Sequence, residues 1–264
     1  MNWPQGRKSY GNEDRYNITD FQERNMGVFT LFSNSTFPRS GGVAMKNISK
    51  EHILLWGAPI ICLSMLLLMP FLTRTIGVTP GYVAGFCIYW FVFCLPFSWH
   101  SCNGFNGLKR IYARQQLRTT IPVEKMYHLL AFAPCIATYF VVFKEFARVA
   151  GSQVLIIALI YALINGTLEE MFWRGAFNTV FEDNVVLAYI YPSLFFGAWH
   201  VALYFAKGIV FQGGFATLVG GSFFMGLLWG WVAYKTKSIA TVTIAHIVTN
   251  FFAFTGFIVD NWLL

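Results

Sequence analysis

The chain has 264 residues, of which 56% are hydrophobic and only 12% charged, with a formal net charge of +7. A soluble domain carries about 25% charged residues, so there is too little charge here to cover a water-facing surface, and a soluble globular class is excluded. The positive balance does not point to nucleic acid either, because the Lys and Arg residues flank apolar segments without a basic–aromatic recognition pattern.

Residues 1–50, rich in Asn, Ser, Gly and Arg, read as a mostly flexible extramembrane tail. Three N-x-S/T sequons begin there, at Asn17, Asn34 and Asn47. The polar start shows no signal peptide, so the first apolar span is expected to act as the insertion signal. A helix needs about 20 apolar residues to cross a bilayer. Runs of that kind are predicted at 53–73 and 82–99. Residues 104–118 instead interleave Leu108, Ile111, Tyr112 and Leu117 with Lys109, Arg110, Arg114 and Arg118, which predicts a basic interfacial helix. Further spans follow at 127–145, 153–181, 185–206, 210–234 and 239–260.

The expected fold is therefore an all-α polytopic transmembrane bundle of about seven spans (six to eight). The range reflects the glycine-rich stretch 206–222, which can break in two. Three regions follow: the tail at 1–50, N-terminal spans with the interfacial helix at 51–149, and a core at 150–264. The positive-inside rule puts the tail (Lys46, Lys50), the 103–125 loop, Lys235 and Lys237 on the cytoplasmic side. Lys144, Arg148 and Lys207 fall on the opposite side. The membrane is a bacterial plasma membrane or a eukaryotic endoplasmic reticulum. Cys62, Cys87, Cys94, Cys102 and Cys135 form no C-x-x-C and are expected to be packing residues.

Charge inside a span is the main functional signal, since each ionised group there costs at least about 2.5–3.5 kcal/mol. The span at 153–181 holds Glu169, Glu170 and Arg174 in six residues, which requires an internal polar site. Glu170 and Arg174 are i,i+4 with the acid first, the favourable order for a helical ion pair. Glu169 lies about 100° further round and has no such partner, so it is available as a general base. The next span contains His200, one turn after Phe196. The last contains His246 and Asn250, which are i,i+4 and share a face. At 1.5 Å per residue, Glu169, His200 and Asn250 lie about 18, 24 and 17 Å from the same side, all deep in the bilayer. Gly226 and Gly230, four apart, predict a close helix approach.

Two carboxylates, an arginine, two histidines and an amide are the minimum for hydrolysing an amide without a covalent intermediate. No Ser-His-Asp order, no H-E-x-x-H and no phosphate-cradling glycine loop competes with that reading. Glu169 to Arg174 spell E-E-x-x-x-R, Phe196 to His200 spell F-x-x-x-H, and His246 to Asn250 spell H-x-x-x-N. In this order the three motifs resemble the CPBP family of intramembrane proteases (CAAX protease and bacteriocin-processing, also called Abi), which includes the type II CAAX prenyl endopeptidase. The resemblance covers residues 150–255. It implies an intramembrane endopeptidase with a cavity open to the cytosol. In it Glu169 and His200 activate water, Glu170 and Arg174 orient the site, and His246 with Asn250 form the oxyanion hole. The implied partners are membrane lipids and a peptide or protein substrate, lipidated or not, with no nucleic acid. No cofactor is expected, although Glu169, His200 and His246 are the set that would ligate zinc if the family's older description as metalloproteases applied. Two other readings use the same residues: a catalytically silent immunity or scaffold protein, and a proton-coupled transporter with Glu169 and Glu170 as relay.

Overall fold

The computed structural model describes residues 49–113 and 121–262. The expected tail, except for its last two residues, and the expected interfacial helix beyond residue 113 lie outside the described residues. Seven helices are long and apolar enough to cross a membrane: α1 (Lys50–Thr75), α2 (Val78–Ser101), α4 (Val123–Phe146), α5 (Ser152–Val180), α6 (Val186–Tyr204), α7 (Ala216–Thr236) and α8 (Ala240–Trp262). The short α3 (Phe105–Tyr112) lies between α2 and α4. No strand occurs among the described residues. The protein is an all-α, multi-pass integral membrane protein.

Local chemistry sets the ends of these helices. Ser49 caps α1 by accepting from the His52 backbone N–H, with Glu51 in the first turn and Arg74 in the last, each complementing the helix dipole. The first part of the glycine-rich stretch, residues 206–213, lies outside the helices, whereas Gly220 and Gly221 fall within α7, which starts at Ala216. The count of seven survives because the break falls between α6 and α7. α3 is tied to the α7–α8 turn by the Ile239 N–H donating to the Ile111 carbonyl at 2.9 Å. Its apolar Leu108 and Ile111 are buried and its Lys109 and Arg110 exposed, the division expected of an interfacial helix.

Packing inverts the soluble pattern. Leu67, Leu129 and Val141 are 75%, 76% and 72% exposed, whereas Glu169 and Glu170 are fully buried. Apolar groups outside and carboxylates inside make sense only where lipid replaces water as the outer solvent. α5 and α8 pack along each other at the centre, with α1 and α7 flanking α6. The predicted close approach at Gly226 and Gly230 is present. A Cβ on Gly226 would lie 2.9 Å from the Ser193 carbonyl, and one on Gly230 2.7 Å from the Ser193 hydroxyl.

Successive spans reverse direction. One face of the bundle therefore collects the ends at Lys50, Ser101, Thr236 and Ala240 and the basic α3, while the other collects the ends at Thr75, Tyr204, Ala216 and Trp262.

Candidate active site

α5 brings Glu169, Glu170 and Arg174 to the centre of the bundle, where a wider π-helical turn (Met171–Ala176) follows the two acids and all six of its residues are buried. The expected ion pair forms, with Arg174 Nη1 donating to Glu170 Oε1 at 2.9 Å. The Arg174 guanidinium also lies 4.2 Å over the Phe196 ring from α6. That contact gives Phe196 a task, screening a buried cation with a π face.

The same Glu170 oxygen accepts from His246 Nδ1 at 2.7 Å. His246 Nε2 lies 3.4 Å from Glu169 Oε2, long for a hydrogen bond but a direct contact. His246 thus bridges the two carboxylates. Gly166 permits this bridge: a Cβ there would lie 3.0 Å from the Ile247 backbone nitrogen and 2.8 Å from its side chain. Any side chain at 166 would push α8 off α5. Trp229 covers the other side of the His246 ring at 4.4 Å between centroids.

Glu169 is not the partnerless acid that spacing along the helix suggests. Oε1 accepts from the Tyr89 hydroxyl at 2.8 Å, and Oε2 from Asn165 Nδ2 at 2.8 Å. Asn165 is four residues before Glu169 on α5, so the i,i−4 rule applied to a polar residue in an apolar span could have found it. Tyr89 and Trp90 come from α2. Nothing in the sequence distinguishes them, because 19% of the chain is aromatic.

His200 is half-buried, and its Nδ1 donates to the Phe196 carbonyl at 2.7 Å. This fixes the tautomer and leaves Nε2 with a lone pair. The Nδ2 of Asn250, one turn beyond His246 on α8, is buried without a hydrogen-bond partner among the described residues. His200, His246, Asn250 and Asn165 all line a cavity of about 390 Å³ whose other walls are largely aromatic and aliphatic. Glu169, Glu170 and Arg174 lie behind it. The structure thus joins Glu169, Glu170, Arg174 and His246 through direct contacts, and His200 and Asn250 share a cavity wall with His246. No hydrogen bond joins Glu169 to His200 among the described residues.

The cavity runs from this polar end to Val210, Gln212 and Asp260, which belong to the face opposite the basic α3. No group of three or more His, Cys, Asp or Glu side chains among the described residues is placed to hold a metal ion.

Residues 151–252 match the family model described as Type II CAAX prenyl endopeptidase Rce1-like. No curated protein and no solved structure matches the chain. The resemblance read from the three motifs is thus found over α5 to mid-α8, the segment that carries all six residues. Tyr89 and Trp90 lie outside it.

Proposed function

We propose that the chain is an intramembrane endopeptidase that hydrolyses a peptide bond with a water activated by Glu169 and His200. The observation that carries this reading is the layering of the site: groups with unused hydrogen-bonding capacity, His200 Nε2 and Asn250 Nδ2, face a membrane cavity directly in front of a buried carboxylate pair. The family match supports a protease acting on a protein or peptide in the membrane.

In this reading a water held by His200 Nε2 lies at the inner end of the cavity. Glu169, directly behind Asn165 and His246 in the cavity wall, takes its proton as hydroxide adds to the scissile carbonyl. Asn250 Nδ2 and His246 Nε2 donate to the resulting oxyanion. Glu170 and Arg174 hold His246 in register for that task. Collapse of the tetrahedral intermediate breaks the C–N bond, and the proton on Glu169 passes to the leaving amine. Carboxylate and amine products follow, with no metal in the step. The apolar walls suit a hydrophobic or lipid-modified segment, and a prenylated CAAX tail is the substrate class that the family description names.

The test compares purified wild type and Glu169→Gln on a farnesylated CAAX peptide and its unprenylated twin, with and without chelator. Wild type should cleave irrespective of chelator, and Glu169→Gln should lose at least about 10²-fold in rate. Cleavage undiminished in Glu169→Gln would sink the reading.

A further inference from the structure

Two hydrogen-bond chains converge on Glu169, and they cross between the same two helices. In the first, Trp173 Nε1 (α5) donates to the Tyr89 hydroxyl (α2) at 2.7 Å, and that hydroxyl donates to Glu169 Oε1. In the second, Trp90 Nε1 (α2) donates to Asn165 Oδ1 (α5) at 2.7 Å, and the amide nitrogen donates to Glu169 Oε2. Each helix supplies one indole and one intermediate donor. All four side chains are buried, and the Tyr89 ring is stacked on Trp199 at 3.9 Å.

The chemistry of the indole sets the direction of both chains. An indole N–H can only donate. With its oxygen already accepting from Trp173, Tyr89 has its single proton directed to Glu169. With Oδ1 accepting from Trp90, Asn165 must turn its amide N–H to the carboxylate. A carboxylate on its own rotates broadly about its last torsion. Here one oriented donor on each oxygen fixes the plane of the group and so the direction in which Oε2 meets His246.

We propose that Tyr89 and Asn165, directed by Trp173 and Trp90, are positioning residues that aim the Glu169 carboxylate at the reacting water. The proposal rests on the protease reading above. It extends the working site beyond the matched segment to α2, a helix without charged side chains. Trp173 and Trp90 act only through the donor they orient.

That dependence gives a test which a merely structural clamp fails. Kinetics on a cleaved peptide are measured for wild type, Tyr89→Phe, Trp173→Phe and the double variant, with thermal melting alongside. Tyr89→Phe keeps the ring and its stacking. It should lower kcat about 10- to 100-fold with KM within about twofold and the melting temperature little changed. Trp173→Phe should lower kcat less, and the double variant should be no worse than Tyr89→Phe, because the indole has no other route to the carboxylate. Trp90→Phe paired with Asn165→Ala should behave in the same way. Full kcat in Tyr89→Phe, or losses that multiply in the double variant, would overturn the proposal. An infrared difference spectrum between wild type and Glu169→Gln isolates the carboxylate band without any substrate. Tyr89→Phe should move that band, and an unmoved band refutes the positioning role. A Glu169→Gln variant as active as wild type defeats the protease reading itself, whereas an inactive one beside a fully active Tyr89→Phe defeats only the positioning role.

Discussion

The rear and front layers of the site use their hydrogen-bonding groups in opposite ways. Behind the cavity, Glu169 and Oε1 of Glu170 accept from Tyr89, Asn165, Arg174 and His246. In front, among the described residues, Asn250 Nδ2 has no partner, and His200 has one ring nitrogen committed to Phe196 and no hydrogen bond at the other. The difference separates groups held in a fixed geometry, the proposed base Glu169 among them, from groups left open to bind. Buried charge persists in a low-dielectric interior only when paired and hydrogen-bonded, so each charged group of the rear layer has a partner, although Glu170 Oε2 and Arg174 Nη2 make no hydrogen bond among the described residues. A group that is to bind a transient oxyanion or water must keep its capacity unused until then.

Breaking the rear layer should have the largest effect. Arg174→Ala leaves Glu170 and His246 without their cation and is expected to cost about 3–5 kcal/mol of stability, read as a lowered melting temperature and poor recovery from membranes. The front layer should respond in the opposite manner. His200→Ala is expected to lose on the order of 10²-fold in kcat, and Asn250→Ala a similar factor, both with melting close to wild type. A large melting shift in either would erase the distinction between the layers. Gly166→Leu tests the spacing that joins them: overpacking against Ile247 should cost about 1–3 kcal/mol and reduce turnover by separating His246 from Glu169. The smallest perturbation concerns access. In a cysteine-free background, cysteines at Lys109 and Asp260, both exposed, should react with a membrane-impermeant reagent from opposite sides, Lys109 from the cytosolic one. Labelling of both from one side would show that the Asp260 end of the cavity shares a face with α3.

The membrane class, the seven spans and the six central residues were legible in the sequence because each is a local property. Length of apolar run, i,i+4 spacing and charge inside a span are all written along one helix. The Glu170–Arg174 pair is the clearest case, since its two members need nothing but their own helix. Asn165 was legible by the same rule, yet its role depends on what the carboxylate also meets from elsewhere.

What only the tertiary structure decided is the pairing across helices. Spacing grouped His246 with Asn250, whereas packing at Gly166 brings α8 close enough for His246 to bridge Glu170 and Glu169. Spacing left Glu169 unpartnered, whereas α2 supplies Tyr89 from 80 positions earlier in the chain. One aromatic among many in an apolar span carries no mark of such a contact, because its neighbours are set by how helices cross and not by its own periodicity. The sequence by itself determined a membrane bundle with charge at its centre. The crossing of α2, α5 and α8 determined which of those groups are held and which are left free to react.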